Sequence, residues 1–236
     1  MQSFFDLPRY LALLPLFTEL PDAERDRIAS EGCSLERLER GAMLFSAGDA
    51  CDAFHVVVTG HLKVYSVARS GAEKVLELVG PGQTLGEMLI FNERCHRLNA
   101  QVLVPSLLVR VPRAAVTALV LQHPAFALRL LAGASQRIQS LQQDVESYCL
   151  DSGLRRVVSY LLDRQGATAP CTTAAKPLTV SLPVSKAAIA ARLSLTPEYF
   201  SRVLRELEEA RLIAVDKRNI HIFDPRQLAH YSQAAA

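Results

Sequence analysis

Three polar residues in the C-terminal part of the chain have side chains suited to reading the edges of DNA bases. Glu198, Ser201 and Arg202 are spaced i, i+3 and i+4, so on a helix they share one face. The guanidinium of Arg202 can donate two hydrogen bonds to O6 and N7 of guanine, and the carboxylate of Glu198 can accept one from the amino group of cytosine. Ser201 is small enough to let the helix lie deep in a groove. A solvated helix face is the competing interpretation, and the surrounding elements decide between the two.

The segment around these residues predicts a helix-turn-helix. Thr196 can cap the N-terminus of the second helix, and Pro197 fits its first turn. Residues 185 to 193 form a shorter helical pattern, and three residues connect the two helices, which is typical of a motif whose second helix enters the major groove. We expect Thr196 and Arg205 to contact the DNA backbone. The other face of the second helix is apolar at helical spacing: Phe200, Val203, Leu204 and Leu207.

A β-hairpin is predicted directly after the helix-turn-helix. Residues 213 to 215 and 220 to 223 alternate between apolar and other side chains around a polar turn at residues 216 to 219. Such a hairpin is a wing, and Lys217 and Arg218 at its tip are placed to touch phosphate. Ordinary turn charges are an equally good interpretation of these two residues.

Length and charge indicate two domains with different partners. A chain of 236 residues exceeds the usual single domain, and half of its residues are hydrophobic. The net charge is +2, but residues 151 to 236 have 12 Lys and Arg against 8 Asp and Glu, so they carry +4 and residues 1 to 150 carry −2. This asymmetry favours a nucleic-acid module in the C-terminal part.

The expected setting is the reducing cytoplasm. The five cysteines lack a Cys-x-x-Cys pair, which argues against a disulfide framework or a zinc site. The sequence has no segment that looks like a secretory signal or a membrane span, so we expect no membrane partner.

The sequence of the N-terminal part predicts β structure from about residue 38 to residue 112. Short apolar or alternating runs are separated by glycines at regular intervals, which predicts a β-barrel or jelly roll. The predicted fold class is therefore α+β, with a β-barrel or jelly-roll sensor domain at residues 1–122. The predicted runs are residues 44–45, 53–59, 62–67, 74–79 and 100–111.

A long helix with a heptad repeat follows, over residues 123–150. Its apolar residues recur at alternating intervals of 4 and 3, and the flanking positions are polar, which favours a homodimer interface over packing on the chain's own barrel. Residues 151 to 153 predict a hinge, with Asp151 or Ser152 capping a helix at 154–162, and residues 166–177 predict a loop. Residues 151–236 then form the winged helix-turn-helix domain. The repeat consists of Ala127, Leu131, Ala134, Ile138, Leu141, Val145 and Tyr148.

In this order of elements the chain resembles the CRP/FNR family of bacterial transcription regulators. The resemblance implies a cyclic-nucleotide-binding-like sensor domain for a small-molecule or gas effector, relay through the dimer helix, and control of transcription with RNA polymerase on palindromic double-stranded DNA. Whether the protein is an activator or a repressor stays open. Ser185 and Lys186 match residues that meet the DNA backbone, and Ser194 stands where many members have the turn glycine. The segments that carry the resemblance are residues 40–49, 54–65, 82–87 and 195–202.

The three residues predicted to contact DNA bases also indicate a branch of the family. Glu198, Ser201 and Arg202 look like the reader of the FNR branch, which implies a TTGAT-type half-site. The catabolite-activator branch typically has Gly at the position of Ser201 and Arg at the position of Pro197.

The sequence does not identify the effector. Gly86, Glu87 and Arg97 are similar to the ribose and phosphate motif of cyclic-nucleotide binders, but Leu98 follows where Ser or Thr is expected. No cysteine precedes Cys33, which argues against an FNR-type iron-sulfur cluster. The chain looks most like Dnr-type regulators, which implies haem as a cofactor and nitric oxide as the signal. No axial ligand or metal site is assigned among the sensor histidines: His55, His61, His96 and His123.

Two alternatives to this interpretation stay open, and an enzyme is not one of them. We expect no enzyme, because the sequence contains no G-x-G-x-x-G fingerprint, no P-loop and no nucleophile motif. A cyclic-nucleotide-responsive regulator of the catabolite-activator type is one alternative. A cyclic-nucleotide-binding module without DNA binding is another, and sequence-specific DNA binding would distinguish it.

Overall fold

The computed structural model describes residues 5–87, 89–91, 95–163 and 177–234. Their contacts form two compact units. The first contains Met1–Ser66 with Leu76–Leu141, and the second contains Val67–Val75 with Gln142–Ala236.

The first unit is built on a six-stranded sheet with helices before and after it. The hydrogen-bonded path is β1-β6-β3-β4, with β2 added to β6 and β5 added to β3. Among the described residues this sheet does not close on itself, so the jelly-roll-like class is confirmed without a complete barrel. The elements are α1 (Leu7–Ala12), α2 (Asp22–Glu31), β1 (Ser34–Leu38), β2 (Met43–Phe45), β3 (Ala53–Val67), β4 (Glu73–Val79), β5 (Thr84–Leu85), β6 (Asn99–Pro112), α3 (Arg113–Gln122) and α4 (Pro124–Leu150).

Strand β3 combines two strands that the sequence predicts separately. It pairs with β6 along its length, and the register shifts around Gly60. Gly60 has φ +92, and a Cβ there would lie 2.1 Å from Ser106 Oγ and 2.7 Å from the Pro105 carbonyl oxygen. Only glycine fits this close approach of two strands. The glycine bends a continuous strand here and does not end it.

The irregularity at Gly60 changes which side chains of β3 face each core. Before it, Phe54, Val56 and Val58 pack with the helices in one apolar cluster. Val57 lies in the second cluster, and beyond the shift Leu62 and Val64 join it. Strict alternation would keep residues of even number on one side. The register shift therefore lets one strand supply both cores.

Helix α4 begins in the first unit with an apolar contact. Phe126 is buried, and its ring lies 5.6 Å from that of Phe17, centroid to centroid. No single helix among the described residues has the length and apolar composition to span a membrane. Helices α3 and α4 reach that standard only as a pair, and the chain bends by 116° between them.

The second unit contains the predicted winged helix-turn-helix. Its three-stranded sheet has the order β7-β9-β8, and β8 pairs with β9 as the predicted hairpin. Strand β7 and helix α8 have no counterpart among the predicted elements. Most of the predicted loop at 166–177 lies outside the described residues. The elements are α5 (Gly153–Asp163), β7 (Leu178–Ser181), α6 (Lys186–Arg192), α7 (Pro197–Glu209), β8 (Ile213–Asp216), β9 (Asn219–Ile222) and α8 (Pro225–Ala234).

Two local predictions are confirmed and one is adjusted. Residues 151 and 152 interrupt the helices at the predicted hinge, and the Arg155 amide donates to Ser152 Oγ at 3.3 Å, so Ser152 is the cap. Four residues, 193 to 196, separate α6 from α7 instead of three. The difference arises because Leu193 already has φ −81 and ψ 5 and ends the shorter helix.

Candidate nucleic-acid interface and effector site

Helix α7 has one covered face and one open face. Phe200, Val203, Leu204 and Leu207 are at most 2% exposed, so this face anchors the helix in the core of the second unit. Burying four such side chains contributes several kcal/mol, because each is worth about 1.5–3 kcal/mol. The open face presents exposed side chains: Glu198, Ser201, Arg202 and Arg205.

The first turn of α7 is held by its capping residue. Thr196 Oγ1 accepts a hydrogen bond from the Tyr199 amide at 3.2 Å, and Pro197 occupies the first turn. The carboxylate of Glu198 lies in this turn, where the partial positive charge of the helix end favours it. The predicted cap is confirmed, and because Thr196 Oγ1 accepts in the cap, its own O–H remains able to donate a hydrogen bond.

Arg202 has an aromatic neighbour that the sequence analysis missed. Its guanidinium lies over the ring of Tyr199, 4.7 Å from the centroid, at cation–π distance. Gly153 at the start of α5 makes room for this ring, because a Cβ there would lie 2.5 Å from Tyr199 Cε1. An aromatic residue three positions before an arginine on a helix was the available signal. Tyr199 thus limits the conformations from which Arg202 would reach a base.

Ser201 is exposed, but its hydroxyl already has a partner. Ser201 Oγ donates to the Pro197 carbonyl oxygen at 2.8 Å. A serine on a helix commonly makes this bond to the residue four positions earlier. Its hydroxyl oxygen can still accept a hydrogen bond, so Ser201 contributes small size and an acceptor to the open face.

The other residues predicted to contact the DNA backbone lie on two further elements. Ser185 caps α6, with the Ala188 amide donating to its Oγ at 3.3 Å, and Lys186 begins that helix. Lys217 and Arg218 are exposed in the two-residue turn between β8 and β9, where Lys217 has φ +54. The wing places both cations at its tip, as predicted.

The turn between α6 and α7 has the strained backbone that the sequence suggests. Ser194 has φ +57, in the left-handed region that favours glycine. A serine there costs about 1 kcal/mol relative to glycine. Nearby contacts must hold the turn in this conformation.

The candidate effector site of the first unit contains a compact charged cluster. Gly86 has φ +87, and the Glu87 side chain that follows it is 15% exposed. Arg137 of α4 forms an ion pair with Glu77 of β4 and lies 3.8 Å from Glu87 Oε1. The second carboxylate oxygen of Glu87 is buried and has no hydrogen-bond partner in the structure.

The cation of this cluster is not the one that the sequence predicts. Arg97, the predicted phosphate ligand, is exposed, and Arg137 is the arginine that pairs with Glu87. In the sequence, Arg137 is one of the polar residues that flank the heptad repeat, and nothing in the repeat connects it with an effector. No local pattern connects α4 to residue 87, because the contact depends on how the helix lies on the sheet.

Two of the four sensor histidines are buried. His55 and His96 each have a buried Nδ1 without a hydrogen-bond partner. Burial lowers the pKa of His55 to about 4, assisted by the charge of Arg110, and burial also lowers the pKa of His96. The His96 ring stacks on Phe45 with centroids 3.6 Å apart. Both imidazoles are therefore neutral near pH 7.

The other two histidines are more accessible. His61 is half-buried, and His123 Nε2 lies 3.7 Å from Glu24 Oε1. Within the described residues no group of three or more His, Cys, Asp or Glu side chains is arranged to hold a metal ion.

The heptad repeat of α4 is only partly covered. Ala127, Ala134 and Tyr148 are half-buried, and the hydroxyl of Tyr148 donates to the Arg192 carbonyl oxygen at 2.7 Å. Tyr148 therefore uses its polar end within its own chain. The four larger aliphatic residues of the repeat are exposed: Leu131 (63%), Ile138 (52%), Leu141 (52%) and Val145 (62%).

Both regions match known domain families. Residues 35–123 match the cyclic nucleotide-binding domain, and residues 155–231 match the Crp-like helix-turn-helix domain. The transcriptional activator protein Anr of Pseudomonas protegens is 28% identical over 216 residues, covering 91% of this chain and 86% of Anr.

Solved structures agree with these matches. DNR from Pseudomonas aeruginosa is 31% identical, with a TM-score of 0.50 and coverage of 94% of this chain and 96% of DNR. FixK2 from Bradyrhizobium japonicum, at 22% identity, shares the fold with a TM-score of 0.73 over 86% of this chain and 98% of FixK2. With both domain matches in the family's order, and with relatives that match along nearly their whole length, the chain belongs to the Crp/Fnr family of transcription regulators.

Proposed function

We propose that the protein is a homodimeric transcription regulator that binds a palindromic TTGAT-type site in response to an effector in its first unit. The observation that carries the proposal is the open face of α7. Glu198, Ser201 and Arg202 share that face, while the opposite face is buried and Thr196 caps the start. A helix held in this way presents its N-terminal residues to the major groove.

The uncovered heptad repeat of α4 supports the dimer. Four large aliphatic side chains at intervals of 7, 3 and 4 form a narrow apolar stripe that a second copy can cover. Two-fold symmetry would then place two α7 helices on two half-sites. RNA polymerase is the expected partner at the promoter.

The experiment that tests the DNA reader is a binding titration with a duplex that carries two inverted TTGAT half-sites about one helical turn apart. Arg202→Ala should weaken binding by about 1–3 kcal/mol and relax discrimination at one base pair of each half-site. Arg226→Ala, which removes an exposed arginine from α8, is the matched control for charge. Binding by Arg202→Ala that equals the wild type in affinity and selectivity would contradict the assignment of the reader.

Cyclic nucleotide is one effector candidate, favoured by the match of residues 35–123 to the cyclic nucleotide-binding domain. Glu87 would accept from a ribose hydroxyl, and Arg137 would lie beside a phosphate. Calorimetric titration with cyclic AMP should give a saturable heat for the wild type and a weaker one for Glu87→Gln. A flat titration of the wild type would remove this candidate.

Haem is the second candidate, favoured by the similarity to DNR and by the two buried imidazole nitrogens that lack partners. An imidazole nitrogen is a common axial ligand for haem iron, so His55 and His96 have the required donor chemistry. An absorbance titration with haem should saturate at one equivalent and respond to nitric oxide. A titration that does not saturate would exclude haem and leave the DNA reader unaffected.

A further inference from the structure

A single lysine side chain meets the turn between α6 and α7. Lys74 lies at the start of β4, in the hairpin segment Val67–Val75 that belongs to the second unit. Its Nζ donates to Ser194 Oγ at 2.6 Å, to the Arg192 carbonyl oxygen at 3.1 Å and to the Ala191 carbonyl oxygen at 3.3 Å. An ammonium group has three donors, and all three have acceptors here.

The three acceptors are the groups that need stabilisation at this turn. The carbonyls of residues 191 and 192 end α6, where the helix has its partial negative charge, and a cation favours that end. Ser194 has the left-handed backbone at φ +57. The bond to its Oγ therefore links the ammonium to the strained residue itself.

The end of α4 surrounds the same lysine. Lys74 Nζ lies 4.4 Å from the centroid of the Tyr148 ring, and the Tyr148 hydroxyl bonds to the Arg192 carbonyl. Arg192 Nη2 donates to Asp144 Oδ2 at 2.6 Å. Lys74 thus contacts an organised set of groups and not a single accidental partner.

The charges around Lys74 shift its protonation. Burial, together with the charges of Arg192 and Arg156, lowers the pKa of Lys74 to about 8, and the charge of Asp144 opposes this shift. The amine remains mostly protonated at pH 7. An amine free in solvent would titrate near its ordinary value of 10.5.

We propose that Lys74 is a positioning residue for DNA reading. By holding Ser194 and the end of α6, it fixes the turn from which α7 departs, and therefore the direction of the open face of α7. The proposal rests on the proposed DNA-binding function, and its tests are chosen to separate the two.

The first test compares Lys74→Met with Arg69→Met, which removes an exposed cation from the same hairpin. The Leu195 amide, which donates to the Ala190 carbonyl at 2.9 Å, reports on the turn by hydrogen exchange. Losing charge-assisted bonds should reduce its protection about tenfold and weaken binding to the TTGAT duplex by a similar factor. Arg69→Met should leave both unchanged.

The second test uses glycine at the strained position. Ser194→Gly removes both the hydroxyl and the conformational cost, so the turn should need Lys74 less. In that background Lys74→Met should lower DNA affinity by clearly less than in the wild type. An equal loss in both backgrounds would overturn the role of Lys74 at the turn.

The third test reads the amine directly. An NMR titration of the Lys74 side chain in the full-length protein should show a pKa near 8. Hydrogen exchange in Lys74→Arg, which keeps the positive charge, should show that the protection of the Leu195 amide is largely retained. Protection of the Leu195 amide in Lys74→Arg that is as low as in Lys74→Met would overturn the role of the cation at the turn.

The remaining outcomes separate the proposals. Unchanged Leu195 protection in Lys74→Met overturns the contact, and reduced protection with unchanged DNA binding overturns the positioning role. Reduced protection in Lys74→Met with no effect of Arg202→Ala supports the contact and contradicts the proposed reader.

Discussion

Helices α4 and α7 have similar apolar repeats but opposite surroundings. In α7 the four apolar residues are at most 2% exposed, because α7 packs into the core of its own unit. In α4 the four large aliphatic residues of the repeat are more than half exposed. The side of α4 beside this repeat supplies Phe126 to the core and Arg137 to the charged cluster around Glu87.

The comparison shows what a helical repeat does and does not indicate. Both repeats predict a face that is removed from water. Neither indicates whether the chain itself or a second molecule covers that face. The polar residues beside the two repeats also differ in their surroundings. Those of α7 are exposed to solvent, whereas Arg137 of α4 forms ion pairs within the first unit.

Truncation within the covered face of α7 is expected to have the largest effect. Phe200→Ala removes a fully buried ring and should lower the free energy of unfolding by about 3–5 kcal/mol. Chemical denaturation measured by circular dichroism checks this. A loss below 1 kcal/mol would mean that the face is not packed as the structure shows.

Charging the uncovered face of α4 should change association and not folding. Ile138→Glu combined with Leu141→Glu places two carboxylates in the proposed dimer interface and should raise the dimer dissociation constant at least about 100-fold, close to 3 kcal/mol. Sedimentation velocity measures this. Gln139→Glu with Gln142→Glu is the matched control at exposed polar positions. Equal dimerisation of both variants would place the interface elsewhere.

Lowering the pH should destabilise the core of the first unit, which contains His55. It should have no such effect on the covered face of α7, which contains no titratable side chain. Burial lowers the pKa of His55 from 6.5 to about 4, so unfolding takes up a proton as the pH falls through this range. The stability contributed by neutral His55 is present above pH 6.5 and is lost toward pH 4. We expect a loss of about 2 kcal/mol between pH 7 and pH 5.

The matched variant for this experiment is His55→Gln, measured by denaturation at both pH values. Its unfolding free energy should depend less on pH than that of the wild type. An identical dependence in both proteins would mean that another group titrates.

The smallest effect is expected on the open face of α7. Ser201→Ala removes only the hydrogen bond to the Pro197 carbonyl, so stability should change by less than about 0.5 kcal/mol. Its DNA affinity should fall less than that of Arg202→Ala, because Ser201 contributes a single acceptor. A loss equal to that of Arg202→Ala would make Ser201 a principal reader.

Local patterns were sufficient where neighbours along the chain decide the structure. The Thr196 cap, the α7 repeat and the two strands of the wing all depend on residues within a few positions. The pairing of Arg137 with Glu87 and the contact of Lys74 with Ser194 were not predictable in this way. They join residues 50 and 120 positions apart, and no short spacing records them.

The sequence by itself determined the order of domains, the two apolar helix repeats and the three polar residues that share the open face of α7, because side-chain type and periodicity specify these directly. The tertiary structure decided which repeat the chain covers, which arginine pairs with Glu87, and which lysine contacts the turn between α6 and α7. These depend on long-range packing and on register shifts such as the one at Gly60, where a single glycine changes the side chains that each core receives.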